Sequence, residues 1–459
     1  MLFTTLHFAA FLLFTFLVFH LVPGRFRRAV MLVSSVYFYA SWSVPYLALI
    51  AAQLCVDWSC GYWLSRSEST SRRKWIVVVS LVVNLSSLCL FKYYGFFLRT
   101  LDAVGFHLPP LELTLPLGIS FYTFESMSYT IDVYRRRLQP VRSPLHLALF
   151  VTWFPHLIAG PIIRPAELVP QLGNISPVTR ERFFSGLQLL ALGYCKKLLG
   201  ADWLAKVADP IFLHPHTYTS LELLVGVYAY AFQIYLDFSA YTDIARGASR
   251  WFGIELPENF NAPYLATSIT DFWRRWHMTL SHWLRDYLYL SLGGNRKGHA
   301  RTYINLCLTM LLGGLWHGAA WTFVAWGGLH GIYLAVERAL GVQPEKHLSG
   351  LSRVVRTLLT FHLVCAAWVL FRARSFADAA EIFRGIASLS LHVTREMLPS
   401  VLGVTLLVIA YWLVRPLRPR LLLRAPFGGP LLFSALMGGV LVVYMLLGAS
   451  SNAFIYFQF

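Results

Sequence analysis

Residues Thr302 to Val336 read TYINLCLTMLLGGLWHGAAWTFVAWGGLHGIYLAV, without a single Asp, Glu, Lys or Arg. A bilayer core takes roughly 20 apolar residues in helical form, so this stretch is too long for one upright span and predicts two helices. The junction falls near Gly313-Gly314-Leu315-Trp316-His317-Gly318, where three glycines bracket a Trp-His pair. Outward from it, other charge-free runs recur at Met1 to Pro23, Trp75 to Phe91, Thr357 to Phe371 and Leu398 to Val414. The whole chain of 459 residues is 57% hydrophobic and only 13% charged, against about 25% charged in an ordinary soluble domain. Water is not its main solvent.

Only helices and closed barrels satisfy their own backbone in lipid, and runs this continuous lack the alternation of barrel strands. The sequence therefore predicts an all-α polytopic membrane protein with about eleven to thirteen membrane helices, counted as windows of span length. No linker, low-complexity tract, internal repeat or long hydrophilic stretch divides it, so a single membrane domain over residues 1–459 is expected. Met1 to Pro23 is followed by Gly24 and the basic Arg25, Arg27 and Arg28 with no small-residue cleavage motif, which reads as a retained first span.

The net charge of +17 would suggest nucleic acid in a soluble protein, but the basic residues sit in short loops between spans, and no nucleic-acid partner is expected. Under the positive-inside rule, Arg25 to Arg28, Arg66 to Lys74, Arg135 to Arg137 and Arg415 to Arg424 are cytoplasmic. Two spans fit between the first and second of these loops and two more between the second and third, which puts the N-terminus outside the cytoplasm. The six cysteines, Cys55, Cys60, Cys89, Cys195, Cys307 and Cys365, mostly lie in apolar runs, where a thiol packs as a small hydrophobe. No zinc or disulfide spacing is present, and no metal is expected.

The informative places are those where the span pattern breaks. In LALFVTWFPHLIAGPII, Leu147 to Ile163, Pro155 and Gly160-Pro161 interrupt an apolar helix and predict a broken or re-entrant segment. Such backbone is tolerated at membrane depth only where protein or a water-filled cavity surrounds it. From Asn259 to Gly298, charged residues are scattered among aromatics, so no lipid-facing span is possible. Ser268 with Asp271 resembles a capping box and predicts an amphipathic helix starting there, at the cytoplasmic interface or dipping into the protein. On it Trp273, His277, Leu280 and Leu284 share one face, and Arg274, Met278, Ser281 and Arg285 another. Gly293-Gly294-Asn295 is expected to end it.

Ionisable residues inside membrane spans are costly and are functional hypotheses by default, which makes His317 the first candidate. Apolar surroundings favour its neutral ring, able to accept a proton from a hydroxyl as that hydroxyl attacks a thioester carbonyl. His277, on the aromatic face of the amphipathic helix, is the second, and His282, His299 and His330 are weaker. The ordinary alternative for His317 is a histidine bonded to a neighbouring helix, and for His277 an interfacial histidine satisfied by water or a lipid headgroup. Asp237 and Asp243 are read as helix-end carboxylates pairing with Arg246 or Arg250, and Lys92 and Lys196-Lys197 as snorkelling to an interface. Arg274, Arg275 and Arg285 are candidates for meeting the phosphates of a CoA-type donor, or anionic membrane lipid.

Beyond these readings, DFWRRWHMTLSHWLRDYLYLSLGGNRKG (Asp271 to Gly298) followed by LLGGLWHGAAWTFVAWGGLHG (Leu311 to Gly331) resembles the signature of the membrane-bound O-acyltransferase family. It is most similar to the bacterial branch concerned with alginate O-acetylation. LPLGISFYTFESMSYTIDVYRR (Leu115 to Arg136), FPHLIAGPIIRP (Phe154 to Pro165), FQIYLDFSAYTDIARG (Phe232 to Gly247) and FIYFQF (Phe454 to Phe459) agree, so the resemblance covers essentially the whole chain. It implies that His317 matches the family's principal catalytic histidine and His277 its second functional one. It further implies helices around a central tunnel in a bacterial inner membrane, with no tightly bound cofactor. A thioester donor such as acetyl-CoA would enter from the cytoplasm, and a separate periplasmic or extracellular acyltransferase partner would complete delivery to a polysaccharide such as alginate, or to peptidoglycan. Two alternatives remain open at this point. One is D-alanyl transfer from a carrier-protein thioester towards teichoic acid. The other is a transporter of polymer or lipid without covalent chemistry, although transporters often show internal repeats and paired broken helices, and neither is found here.

Overall fold

The computed structural model describes residues 1, 3–107, 109, 111, 113–343, 349–414, 438–439 and 454–455. The basic segment Arg415 to Arg424 and all of the C-terminal motif beyond Ile455 lie outside these residues. Among those described there is no strand, and the protein is an all-α polytopic membrane protein. Among the described residues, four helices are long and apolar enough to cross a bilayer by length and composition, Pro45–Ser65, Thr70–Asp102, Ser220–Arg250 and Gly350–Arg372, and Leu6–Leu21 and Leu398–Leu413 are shorter apolar helices. The other helices are shorter, or are diluted by glycine, threonine and histidine, so hydropathy does not mark them.

The chain packs as two compact units. The first holds Met1–Ala191 and Tyr241–Pro257, the second Leu192–Ala240 and Glu258–Phe459. In the first, the Pro45–Ser65, Thr70–Leu88 and Ile119–Tyr134 helices are tied by polar groups that face inward. Asp57, fully buried, accepts hydrogen bonds from Ser80 Oγ at 2.5 Å, Asn84 Nδ2 at 3.0 Å and Thr130 Oγ1 at 3.3 Å. A carboxylate inside a span survives where neighbouring helices supply donors. Arg73, placed by sequence in a cytoplasmic loop, is itself buried and donates to the carbonyl oxygens of Leu64, Ser67, Val133 and Tyr134. Its guanidinium closes the ends of three helices at once.

The Leu147–Ile163 segment is broken, as its prolines predict. The Pro144–Thr152 helix stops at Trp153, whose ψ is 110°, and the chain turns irregularly until the Pro165–Gly173 helix begins. It is nonetheless deeply buried. Two glycines make this possible. A Cβ on Gly118, whose φ is +75°, would lie 2.6 Å from the Leu157 carbonyl oxygen, and one on Gly160 would lie 2.3 Å from His156 Cα.

In the second unit, the charge-free run forms two helices, His299–His317 and Trp321–Ala339, joined at Gly318 to Ala320. They cross at small residues: a Cβ on Gly314 would stand 2.2 Å from the Phe323 carbonyl oxygen, and one on Gly327 would stand 2.2 Å from that of Met310. The contact is thus backbone against backbone. Two readings of the sequence are corrected here. Lys197 does not snorkel; it is buried, 2.6 Å from Asp237 and 3.0 Å from Asp202. Asp237 takes that partner and the Ile455 amide, at 2.6 Å, in place of an arginine; in the first unit, Arg250 pairs with Glu255 at 2.6 Å.

Candidate active site

Local sequence starts the site where the capping residues predict. Ser268 Oγ accepts from the Asp271 amide at 3.0 Å, and Asp271 reaches back to the Thr267 amide at 3.1 Å. A second carboxylate joins from another helix: Glu337 accepts from the Ile269 amide, from the Thr270 amide at 2.9 Å and from Thr270 Oγ1 at 2.9 Å. Negative charge at a helix start satisfies its unpaired N–H groups. Glu337 thus pins the start of the segment to the Trp321–Ala339 helix.

The single amphipathic helix expected from Ser268 does not form. The chain gives a short helix, Ile269–Trp273, a break, a second short helix, Met278–Trp283, and a π-type turn, Leu284–Tyr289. The shared faces read from an unbroken helix therefore do not exist. The break falls at His277, whose φ of +40° and ψ of 54° are left-handed. A non-glycine residue holds that conformation only when its surroundings over-determine it. Asn259 supplies the constraint: its carbonyl accepts from the Met278 amide at 3.0 Å. Its side-chain Oδ1 accepts from the Thr279 amide at 3.2 Å and from Thr279 Oγ1 at 3.0 Å, and lies 3.2 Å from His277 Nδ1. The glycines after Tyr289 end the segment as expected, Gly293 at φ +111° and Gly294 at φ +57°.

His317 is the last residue of the His299–His317 helix. The two candidate histidines are brought together: the ring centroids of His277 and His317 are 6.4 Å apart, with His277 0% and His317 5% exposed. Aromatic edges and faces enclose them. His317 meets Trp326 at 5.1 Å, Phe371 at 5.3 Å and Trp316 at 5.0 Å, and His277 meets Phe238 at 4.7 Å. All four contacts are edge to face, the arrangement aromatic rings prefer.

The other sequence candidates lie elsewhere. His330 is buried, with Trp273 Nε1 donating to its Nδ1 at 3.3 Å, a packing role. His282 and His299 are exposed. Arg274 is exposed, Arg275 pairs with Asp271 at 2.7 Å, and Arg285 pairs with Asp286 at 2.7 Å. Asn259, Glu337 and the aromatic wall were missed by sequence reasoning. Asn259 carries no local signal in a loop, and Glu337 reads as a charge flanking a span.

Comparison with known proteins identifies the family. Residues 34–377 match the model of MBOAT, the membrane-bound O-acyltransferase family. The chain is 43% identical over 406 residues to the Pseudomonas putida protein named "Probable alginate O-acetylase AlgI", covering 86% of this chain and 82% of that one. It is 36% identical to the peptidoglycan O-acetyltransferase of Helicobacter pylori, covering 81% of this chain and 76% of that one. It is 27% identical to the teichoic acid D-alanyltransferase of Bacillus subtilis, covering 77% and 92% respectively.

Proposed function

Because the chain belongs to the membrane-bound O-acyltransferase family and is an O-acyltransferase of the membrane, we propose that it moves an acetyl group from a cytoplasmic thioester donor, acetyl-CoA, across the membrane for O-acetylation of a cell-surface or secreted polysaccharide. The observation that carries this reading is the meeting of His277 and His317 in one buried aromatic enclosure. In the proposed step, neutral His317 takes the proton of an acceptor hydroxyl while its oxygen attacks the thioester carbonyl. The new C–O bond forms, the C–S bond breaks, and the imidazolium returns the proton to the departing thiolate.

His277 has its own preset role in this scheme. Asn259 Oδ1 already accepts from a backbone N–H, which identifies it as oxygen, so His277 Nδ1 is the donor between them. The lone pair of His277 therefore sits on Nε2, where it orients the reacting hydroxyl by accepting its hydrogen bond. Replacing Asn259 by Leu removes this setting, and the transfer rate is expected to fall on the order of 10- to 100-fold, part of what general base catalysis contributes. Asn259→Asp keeps the acceptor and should stay within about tenfold of the natural rate. Single-turnover rates of the two variants check this, with KM for the donor unchanged in both.

We assign Arg274, Arg275 and Arg285 to the donor's phosphates, the protein to a bacterial inner membrane with its N-terminus outside the cytoplasm, and the onward delivery to a periplasmic or extracellular acyltransferase partner. The likeness to a teichoic acid D-alanyltransferase makes D-alanyl transfer from a carrier protein the second reading. The purified protein in nanodiscs, offered radiolabelled acetyl-CoA or a D-alanyl carrier protein, distinguishes them. Label released from acetyl-CoA alone is the expected result; turnover of the carrier thioester alone replaces acetyl by D-alanyl.

A further inference from the structure

Two basic stretches that lie in separate loops of the sequence, Arg66 to Lys74 and Arg135 to Arg137, meet in the first unit. Arg73 joins them. It donates to the Leu64 and Ser67 carbonyls on one side and to those of Val133 and Tyr134 on the other, and its guanidinium lies 5.7 Å from the centroid of the Tyr134 ring. Beside it opens a cavity of about 180 Å³, well above what one water molecule needs. Its floor is buried, with Leu64, Ser67 and Arg73, and its rim is exposed, with Glu68, Arg136 and Gln139.

Two features of this floor call for a guest. Every partner of Arg73 is neutral, and among the described residues no carboxylate stands within ion-pair distance of it. Arginine is seldom buried without an anion. Ser67, 6% exposed, lines the same floor, and its Oγ is buried with no hydrogen-bond partner among the described residues, whereas buried polar atoms are nearly always paired. The rim adds Arg136, whose contact with Glu68, at 3.6 Å, joins side chains 69% and 95% exposed. An ion pair so open to water is worth little and gives way to a competing anion. Two guanidinium groups against one carboxylate leave the lining positive, and the Thr70–Leu88 helix, which starts just past Glu68, adds the positive end of its dipole.

Guanidinium groups, a hydroxyl and a helix start suit a phosphate, whose several oxygens accept hydrogen bonds from all of them. The depth of the cavity says which phosphate. The Pro45–Ser65 and Thr70–Asp102 helices, both of bilayer-crossing length, end and begin here. Trp63 and Trp75, within two turns of those ends, are 58% and 68% exposed. Exposed tryptophans at the ends of spans mark the level of the lipid headgroups.

We propose that this cavity seats the phosphate of an anionic phospholipid headgroup, a free phosphate being the other source of the same chemistry. The bound headgroup supplies the charge that Arg73 lacks and completes the tie between the two loops. The assignment stands on the membrane fold and not on the acyltransferase reading, so either can fail alone.

The test uses the full chain in a neutral detergent, titrated with phosphatidylglycerol, phosphatidylcholine or inorganic phosphate, with the thermal unfolding midpoint as the readout, because a ligand of the folded state raises it. Phosphatidylglycerol should raise the midpoint saturably, and the other two, at the same concentrations, should not. Arg136→Gln is expected to raise the half-saturating concentration about tenfold or more, as the loss of a charge-assisted hydrogen bond does, and Ser67→Ala about threefold. Lys74→Gln, exposed and outside the cavity, should change it less than about twofold. Without lipid none of these variants should move the midpoint by more than about 4 °C, since Arg136 and Lys74 are exposed and Ser67 Oγ has no partner to lose. Native mass spectrometry of the natural chain, which depends on no variant, should show phosphatidylglycerol retained after phosphatidylcholine is stripped. Three results overturn the assignment: no saturable response to phosphatidylglycerol, no retention of it over phosphatidylcholine, or equal weakening by Lys74→Gln and Arg136→Gln, which is surface charge alone. A response to inorganic phosphate without one to phosphatidylglycerol overturns the lipid in favour of a free phosphate.

Discussion

Replacing His317 by Ala is expected to lower acyl transfer by about 10²- to 10⁴-fold, the range that a positioned general base contributes, while the protein remains folded. The folded state should tolerate the change because His317 lies at the end of its helix, where the truncation leaves the preceding hydrogen-bond ladder intact. Its ring packs against Trp316, Trp326 and Phe371, so some stability will be lost, roughly the 1 kcal/mol usual for a point change. Rate and unfolding midpoint must therefore be measured on the same preparation. Activity within a few-fold of the natural chain would remove His317 from the chemistry. His317→Gln is the useful companion, since an amide retains polarity and approximate size but cannot take up the hydroxyl's proton; it should be as inactive as alanine.

The second large effect is expected at a residue that has no side chain. At the crossing of the His299–His317 and Trp321–Ala339 helices, Gly314→Val places its Cβ 2.2 Å from a backbone oxygen and 3.1 Å from Gly327 Cα. Neither neighbour is a flexible side-chain end, so the helices must separate. Overpacking of this kind costs about 1–3 kcal/mol and sometimes more, and here the upper end is expected, with little folded protein recovered. The same displacement would also draw Trp326 away from His317, so any folded remainder should be inactive. Gly328→Ala supplies the contrast. Its Cβ would meet only Leu311 Cδ2, at 3.3 Å, which can rotate, and a change below about 1 kcal/mol is expected. Equal losses in the two variants, read from thermal unfolding, would mean that close helix approach is not what the glycine provides.

What could be read beforehand, and what could not, follows from the range of the interactions involved. The division of Thr302 to Val336 into two helices and the breakage after Thr152 depend on local rules about span length, glycine and proline, and both appear in the structure. His317 stood out because an ionisable ring in a charge-free run has few reasons to be there. The short helices around His277 were not legible. Their periodicity suits one continuous helix, and it is overridden by Asn259, eighteen positions away, whose hydrogen bonds hold His277 left-handed. The same holds for Lys197, which looks like an interfacial lysine until Asp202 and Asp237 arrive beside it. Arg73 looks like a cytoplasmic marker until four carbonyl oxygens close around it. In each instance at least one deciding partner is distant in sequence, and residue type alone does not announce it.

The donors around Asp57 bear on how the chain is made. A carboxylate near the middle of a helix adds about 2.5–3.5 kcal/mol to the free energy of insertion by the translocon, and the Pro45–Ser65 helix must meet that before its neighbours exist. Ser80 and Asn84 arrive with the next helix, Thr130 only after that of Ile119–Tyr134 is synthesised. Until then the carboxylate has only part of its set of donors. Emergence from the ribosome therefore sets an order of assembly, in which the polar tie between the first helices is completed only when the Ile119–Tyr134 helix brings Thr130 to Asp57.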